Sequence, residues 1–179
     1  MGVMFSRIGY SSDNFAQFNA SDFGEKPDAK LIQQLVAAYS QPLPDRMEIR
    51  EFEKKHSIMF PLDYIQFLEQ VNGGYPEKTF IFGFGDLAVT VFYAFNCPYL
   101  EDSVNTLFER SMTVEDLPKN QLLPIAGLSN EHQLMMRIAD RKFNEIFEVS
   151  FNKELRIFEN RYIADSFSEL VSQLVTEPA

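Results

Sequence analysis

The chain has 179 residues with 26 acidic against 16 basic side chains, a net charge of −10 that repels phosphate backbones and disfavours direct binding of nucleic acid, but suits a basic protein partner. A hydrophobic share of 45% with 18 phenylalanines supplies an aromatic core, and a single domain of this length buries roughly 70% of its unfolded surface. No run of about 18 apolar residues occurs and no basic start leads into a hydrophobic block, so neither a membrane helix nor a secretory signal is expected; with a lone cysteine, Cys97, which cannot form an intramolecular disulfide, this places the chain in the reducing cytoplasm.

Residues 1–28 mix Gly, Ser, Asn and Asp with scattered Phe5, Phe15, Phe18 and Phe23 at no regular period. They read as an N-terminal extension, a loose tail or an arm laid on the body, ahead of one domain over 29–176. Asp28 is a plausible cap for a helical stripe of Leu31, Ile32, Leu35, Val36 and Tyr39 that stops before Pro42 and Pro44. In Ile49–Lys55 the apolar Ile49 and Phe52 lie on one helical face, with Glu51 and Lys55 ordered for an i,i+4 pair. Pro61 is expected at the first position of a second helix, with Asp63 in the first turn, an apolar stripe of Tyr64, Ile65, Leu68 and Val71, and Gly73-Gly74 as its left-handed stop. Together these segments predict a helical hairpin with a shared apolar face.

The ordered string Ile49, Phe52, Glu53, Phe60, Pro61, Tyr64, Phe67, Leu68, Asn72, Gly73 and Gly74 resembles the signature of the SUKH superfamily. The resemblance implies an α+β fold. It also implies a binding role: bacterial members are mostly immunity proteins that neutralise polymorphic toxins delivered between cells, and fungal relatives regulate cell-wall assembly. On this reading the motif residues are mainly structural.

Further along, Thr79–Phe84 and Leu87–Phe95 read as two strands joined by a tight turn at Gly83-Phe84-Gly85-Asp86; the third glycine and the basic residue of a phosphate loop are missing. Residues 96–118 carry one short helix, capped by Asp102 or Ser103 with Val104, Leu107 and Phe108 as its stripe. They gather Glu101, Asp102, Glu109, Glu115 and Asp116 against Arg110 alone, either a solvated insertion or a patch for a basic partner. Strands follow at Leu122–Ala126, Gln133–Ile138 and Glu145–Val149, the last two as a hairpin, with a further short strand within Asn152–Arg161. The turn Ser129-Asn130-Glu131-His132 departs from the Gly-Asp or Gly-Asn turn that family members commonly carry here. Asp165 is read as the cap of an amphipathic helix through Phe167, Leu170, Val171, Leu174 and Val175. The expected architecture is therefore α+β, a mostly antiparallel sheet packed against N-terminal helices with a C-terminal helix.

Chemistry is sparse. His56 ends a helix, where a cation complements the dipole, and His132 sits in a turn; neither has a second histidine or cysteine at metal-ligand spacing. No catalytic residue, metal or cofactor is expected. The favoured function is a stoichiometric inhibitor of a cognate, basic toxin such as a nuclease, with Asp86, Glu101, Asp102, Glu109, Glu115 and Asp116 as contact residues. A regulatory or scaffold module is the alternative. Contact with nucleic acid or membrane is not expected, and the oligomeric state stays open.

Overall fold

A computed structural model describes residues 3–8, 30, 33–34, 42–97, 103–114, 121–139, 143–152 and 157–178. Helix α1, Arg46–His56, starts where the Asp45 carboxylate accepts a hydrogen bond from the Glu48 amide while the Glu48 carboxylate accepts one from the Asp45 amide, satisfying two amides at the helix end. It stops at Ser57 in the left-handed region. Glu53 then reaches forward to accept from the Phe60 amide at 2.6 Å, fixing the connection. Helix α2, Leu62–Gln70, begins after Pro61, which is the N-cap and not the first helical residue as expected. The hairpin is closed by the Arg46–Glu69 ion pair, 2.5 Å from Nε to Oε1. Lys55 turns away from Glu51 toward a later helix, described below.

The predicted helix at 31–39 lies largely outside the described residues. Of the N-terminal extension, residues 3–8 are described: β1, Phe5–Ser6, pairs antiparallel with β2, Tyr75–Pro76. Phe5 packs its ring against Phe67 and Phe92, so this part of the segment lies on the body.

After the hairpin come β3, Phe80–Ile81, and β4, Val89–Phe92. Both are shorter than the sequence predicts and they do not form one ladder. A single bridge joins Phe80 to Ala88, β3 pairs with β9, Leu174–Val175, and β4 joins the main sheet. Helix α3, Val104–Ser111, is capped by Ser103. The main sheet is antiparallel, in the order β4-β5-β6-β7-β8, with β5 Leu122–Leu128, β6 Gln133–Arg137, β7 Ile146–Asn152 and β8 Ile157–Ala164. Helix α4, Phe167–Ser172, is capped by Ser166 and not by Asp165. It ends three residues before Val175 because Leu174 and Val175 complete the edge pairing with β3. Their apolar side chains are compatible with either state, and the ladder decides.

One sheet face and the helices enclose the core. Ile49, Phe52, Tyr64 and Leu68 of the hairpin meet Phe92, Phe95, Phe108 and Phe167, over Leu123, Leu134, Met136 and Ile146 of the strands. Aromatic rings dominate: Phe52 meets Phe95 and Phe108 edge-on at 5.5 and 5.7 Å, and Tyr64 meets Phe167 at 5.1 Å, arrangements that add to simple burial. Tyr64 is fully buried, its hydroxyl has no hydrogen-bond partner, and burial raises its pKa. Tyr64→Phe is therefore expected to leave the urea midpoint unchanged or raised, whereas Tyr64→Ala should cost roughly 3 kcal/mol or more.

Candidate interaction surface

Two turns lie side by side at one end of the sheet. The β3–β4 turn closes through the Ile81 amide donating to Leu87 at 3.0 Å and the Phe84 amide donating to Ile81 at 3.1 Å. Gly83 and Gly85 sit at φ +82° and +62° with open space around both, so their role is conformational and no side chain is being excluded. The β5–β6 turn, Ser129–His132, closes through Leu128 and His132 at 3.0 Å with Glu131 at φ 65°. The turns are joined where Ser129 donates its amide to the Ala88 carbonyl at 2.9 Å and accepts the Ala88 amide on its hydroxyl at 3.2 Å. Phe82, 61% exposed, and Asp86 from the first turn thereby share this end with exposed Glu131 from the second.

Beneath the turns lies a carboxylate that the sequence did not single out. Glu148 of β7 is 6% exposed and points to the helix side of the sheet beyond the end of the apolar core. It accepts from Asn130 Nδ2 at 2.8 Å, His132 Nδ1 at 2.7 Å and Arg161 Nε at 2.7 Å, with a second contact from Arg161 Nη2. The guanidinium lies 5.2 Å from the Phe84 ring centre, so the first turn, the second turn and strands β7 and β8 are pinned together around one charge. Residues His132, Glu148, Ser150, Glu159, Asn160 and Arg161 line an open depression of about 330 Å³ there.

Burial alone pushes the Glu148 carboxyl up, but the hydrogen bonds from His132, Asn130 and Arg161 and the Arg161 charge outweigh it and hold the carboxyl below the usual glutamate range. A depressed folded-state pKa stabilises the fold above the unfolded value of about 4.3 and loses that contribution as pH falls through the folded value. Glu148→Gln should therefore unfold more readily than the parent at pH 7, with the gap narrowing as urea titrations are carried from pH 5 down to pH 3. A constant gap would assign the effect to packing.

Of the six acids predicted to meet a partner, Asp86 is on this exposed end. Glu109 is elsewhere and already engaged: Lys55 Nζ contacts it at 2.7 Å and His56 Nε2 at 3.3 Å, tying α3 to the end of α1. The Lys55 hydrogen bond, opposed by partial burial and assisted by the Lys55 and His56 charges, lowers its pKa. Glu101, Asp102, Glu115 and Asp116 lie outside the described residues. His56 is the last residue of α1, as expected, and its ring packs on Phe52 and Phe108 at 4.5 and 5.4 Å. Among the described residues no group of three or more His, Cys, Asp or Glu could hold a metal ion, and no helix is long and apolar enough to cross a membrane.

The motif residues, in contrast, face inward. Ile49, Phe52, Phe60, Tyr64, Phe67 and Leu68 are core. Asn72 is 1% exposed, and its side chain binds Phe95 and Pro42 while Gly73 and Gly74 follow at φ +82° and +135°. What is left outward at the turn end of this α+β scaffold includes exposed Phe82, Asp86 and Glu131. The model of the SMI1 / KNR4 family (SUKH-1) matches residues 43–173, and the chain belongs to that family. No curated protein and no solved structure matches the chain.

Proposed function

We propose that the chain is a cytoplasmic immunity protein, a stoichiometric inhibitor that binds a cognate basic toxin domain such as a nuclease and occludes it without catalysis or cofactor of its own. The observation that carries this reading is membership of the SUKH-1 family in a chain of net charge −10 whose two joined turns expose Phe82, Asp86 and Glu131. Exposed aromatics are the side chains that most often anchor an interface, and acids around them speed the encounter with a basic surface. Glu101, Asp102, Glu115 and Asp116 extend the same acidic character along the chain. The scaffold stays constant while turns vary to match the partner.

Co-expression with a basic toxin domain, sought among the C-terminal domains of large secreted proteins encoded near this chain, tests the reading. A one-to-one complex that restores growth is the expected result. A toxic domain that neither co-purifies nor is neutralised would overturn it and favour a regulatory module.

A further inference from the structure

We infer that Glu148 is a positioning residue of the turn-end surface: it holds the His132 ring with Nδ1 inward, so that Nε2 faces outward as a hydrogen-bond acceptor for an N–H donor of a basic partner. The inference rests on the reading of the chain as an inhibitor of a basic protein and adds one contact atom to it. A buried carboxylate costs free energy unless donors fill its oxygens. Oε2 of Glu148 is filled by Arg161, through Nε at 2.7 Å and through Nη2. Oε1 takes Asn130 Nδ2 at 2.8 Å and His132 Nδ1 at 2.7 Å.

These contacts decide the tautomer. Asn130 Nδ2 also lies 3.0 Å from His132 Nδ1, which would let the amide donate to a bare ring nitrogen. That arrangement sets the Nδ1 lone pair against a carboxylate oxygen at 2.7 Å, two acceptors with no proton between them. A proton on Nδ1 removes the conflict, because ring and amide then both donate to Oε1. The bond made by one ring nitrogen fixes the role of the other, and in the neutral ring Nε2 keeps its lone pair. The His132 backbone amide donates to Asn130 Oδ1 at 3.2 Å, so the ring and the turn that carries it are set by the same residues.

Nε2 makes no hydrogen bond among the described residues and is not enclosed, the His132 side chain being 38% exposed. The ring borders the open depression of about 330 Å³, which leaves room for a partner's side chain. It shares its turn with exposed Glu131, and Ser129 of that turn is bonded to Ala88, two residues from Asp86. Arg161, held by the same carboxylate, lies over Phe84 of the first turn, so one buried charge sets both turns before a partner arrives. The Asp86 and Glu131 carboxylates and His132 Nε2 are all acceptors, a set that selects the N–H donors of Lys and Arg.

Two measurements test this. Imidazole nitrogen NMR shifts of the free protein, followed to the alkaline end of a pH titration, report the tautomer: the Nδ1–H form is expected for His132 in the parent, with the Nε2–H form gaining in Glu148→Gln. The dissociation constant of the basic toxin domain recovered by co-expression is then compared between the parent and His132→Asn. The asparagine amide nitrogen takes the place of Nδ1 against Glu148 but leaves no atom at Nε2, and a rise of at least tenfold is expected. An Nε2–H ring in the parent, or an intact complex indifferent to His132→Asn, would overturn the inference. Absence of any complex with the parent would instead overturn the reading on which it rests, while the tautomer still decides whether Glu148 positions the ring.

Discussion

Asn72→Ala is expected to destabilise the protein by about 3 kcal/mol or more, measured as a lowered urea midpoint at unchanged slope. The amide of Asn72 donates to the Phe95 carbonyl at 3.1 Å and to the Pro42 carbonyl at 2.9 Å, and its carbonyl accepts from the Phe95 amide at 2.8 Å. One side chain thus stitches the strand-exit backbone at Phe95 and the approach to α1 onto the end of α2. Truncation leaves the Phe95 amide and carbonyl unpaired in a site closed to solvent, and each orphaned group costs about 1–3 kcal/mol. Asn72 also holds φ at 55°, a conformation asparagine adopts more easily than alanine. A loss below about 1 kcal/mol would mean that water replaces the side chain and that the joint is not closed.

Gly73→Ala should be at least as damaging, on the order of 3 kcal/mol, with loss of soluble protein as the readout if the fold is marginal. A methyl group there stands 2.8 Å from the Ala94 amide nitrogen and Cα and 2.9 Å from the Phe92 carbonyl oxygen, and the backbone is at φ +82°. The obstructing atoms are backbone of the strand exit, so no rotamer change relieves the clash, and the left-handed strain adds to it. Gly83→Ala provides the contrast. It has the same φ but nothing within 4 Å, so only the conformational cost of about 1 kcal/mol remains. Equal effects at the two glycines would show that the close approach at Gly73 is relieved by movement of the strand.

The helical hairpin was legible because its signals are local: a proline at position 61, a 3.6-residue stripe, and a glycine stop. The Asn-Gly-Gly string was read as a helix stop. Its larger role, seating the exit of β4, depends on contacts such as that of Asn72 with Phe95, 23 residues on, that no local pattern states. Leu174 and Val175 were placed in a helix because apolar periodicity cannot register the pairing of a two-residue strand with β3. The Glu148 cluster was missed for the same reason. Glu131 stood beside His132 in sequence, but the acid that binds the imidazole lies 16 residues on, brought there by the β6–β7 register. The candidate surface was only partly visible: acids can be counted along a chain, but whether an acid is open, like Asp86, or tied to a neighbouring helix, like Glu109, depends on tertiary packing.

The central claim is that the buried motif supplies the scaffold while the turn end meets the partner. Its most direct test is the dissociation constant of the toxin domain for the parent protein and for Phe82→Ala combined with Asp86→Lys, alongside the urea midpoint of each. The account predicts affinity weakened at least a hundredfold, by loss of an aromatic anchor and reversal of a charge, at an unchanged midpoint. Unchanged affinity in the doubly substituted protein would contradict it and move the contact to another face of the molecule.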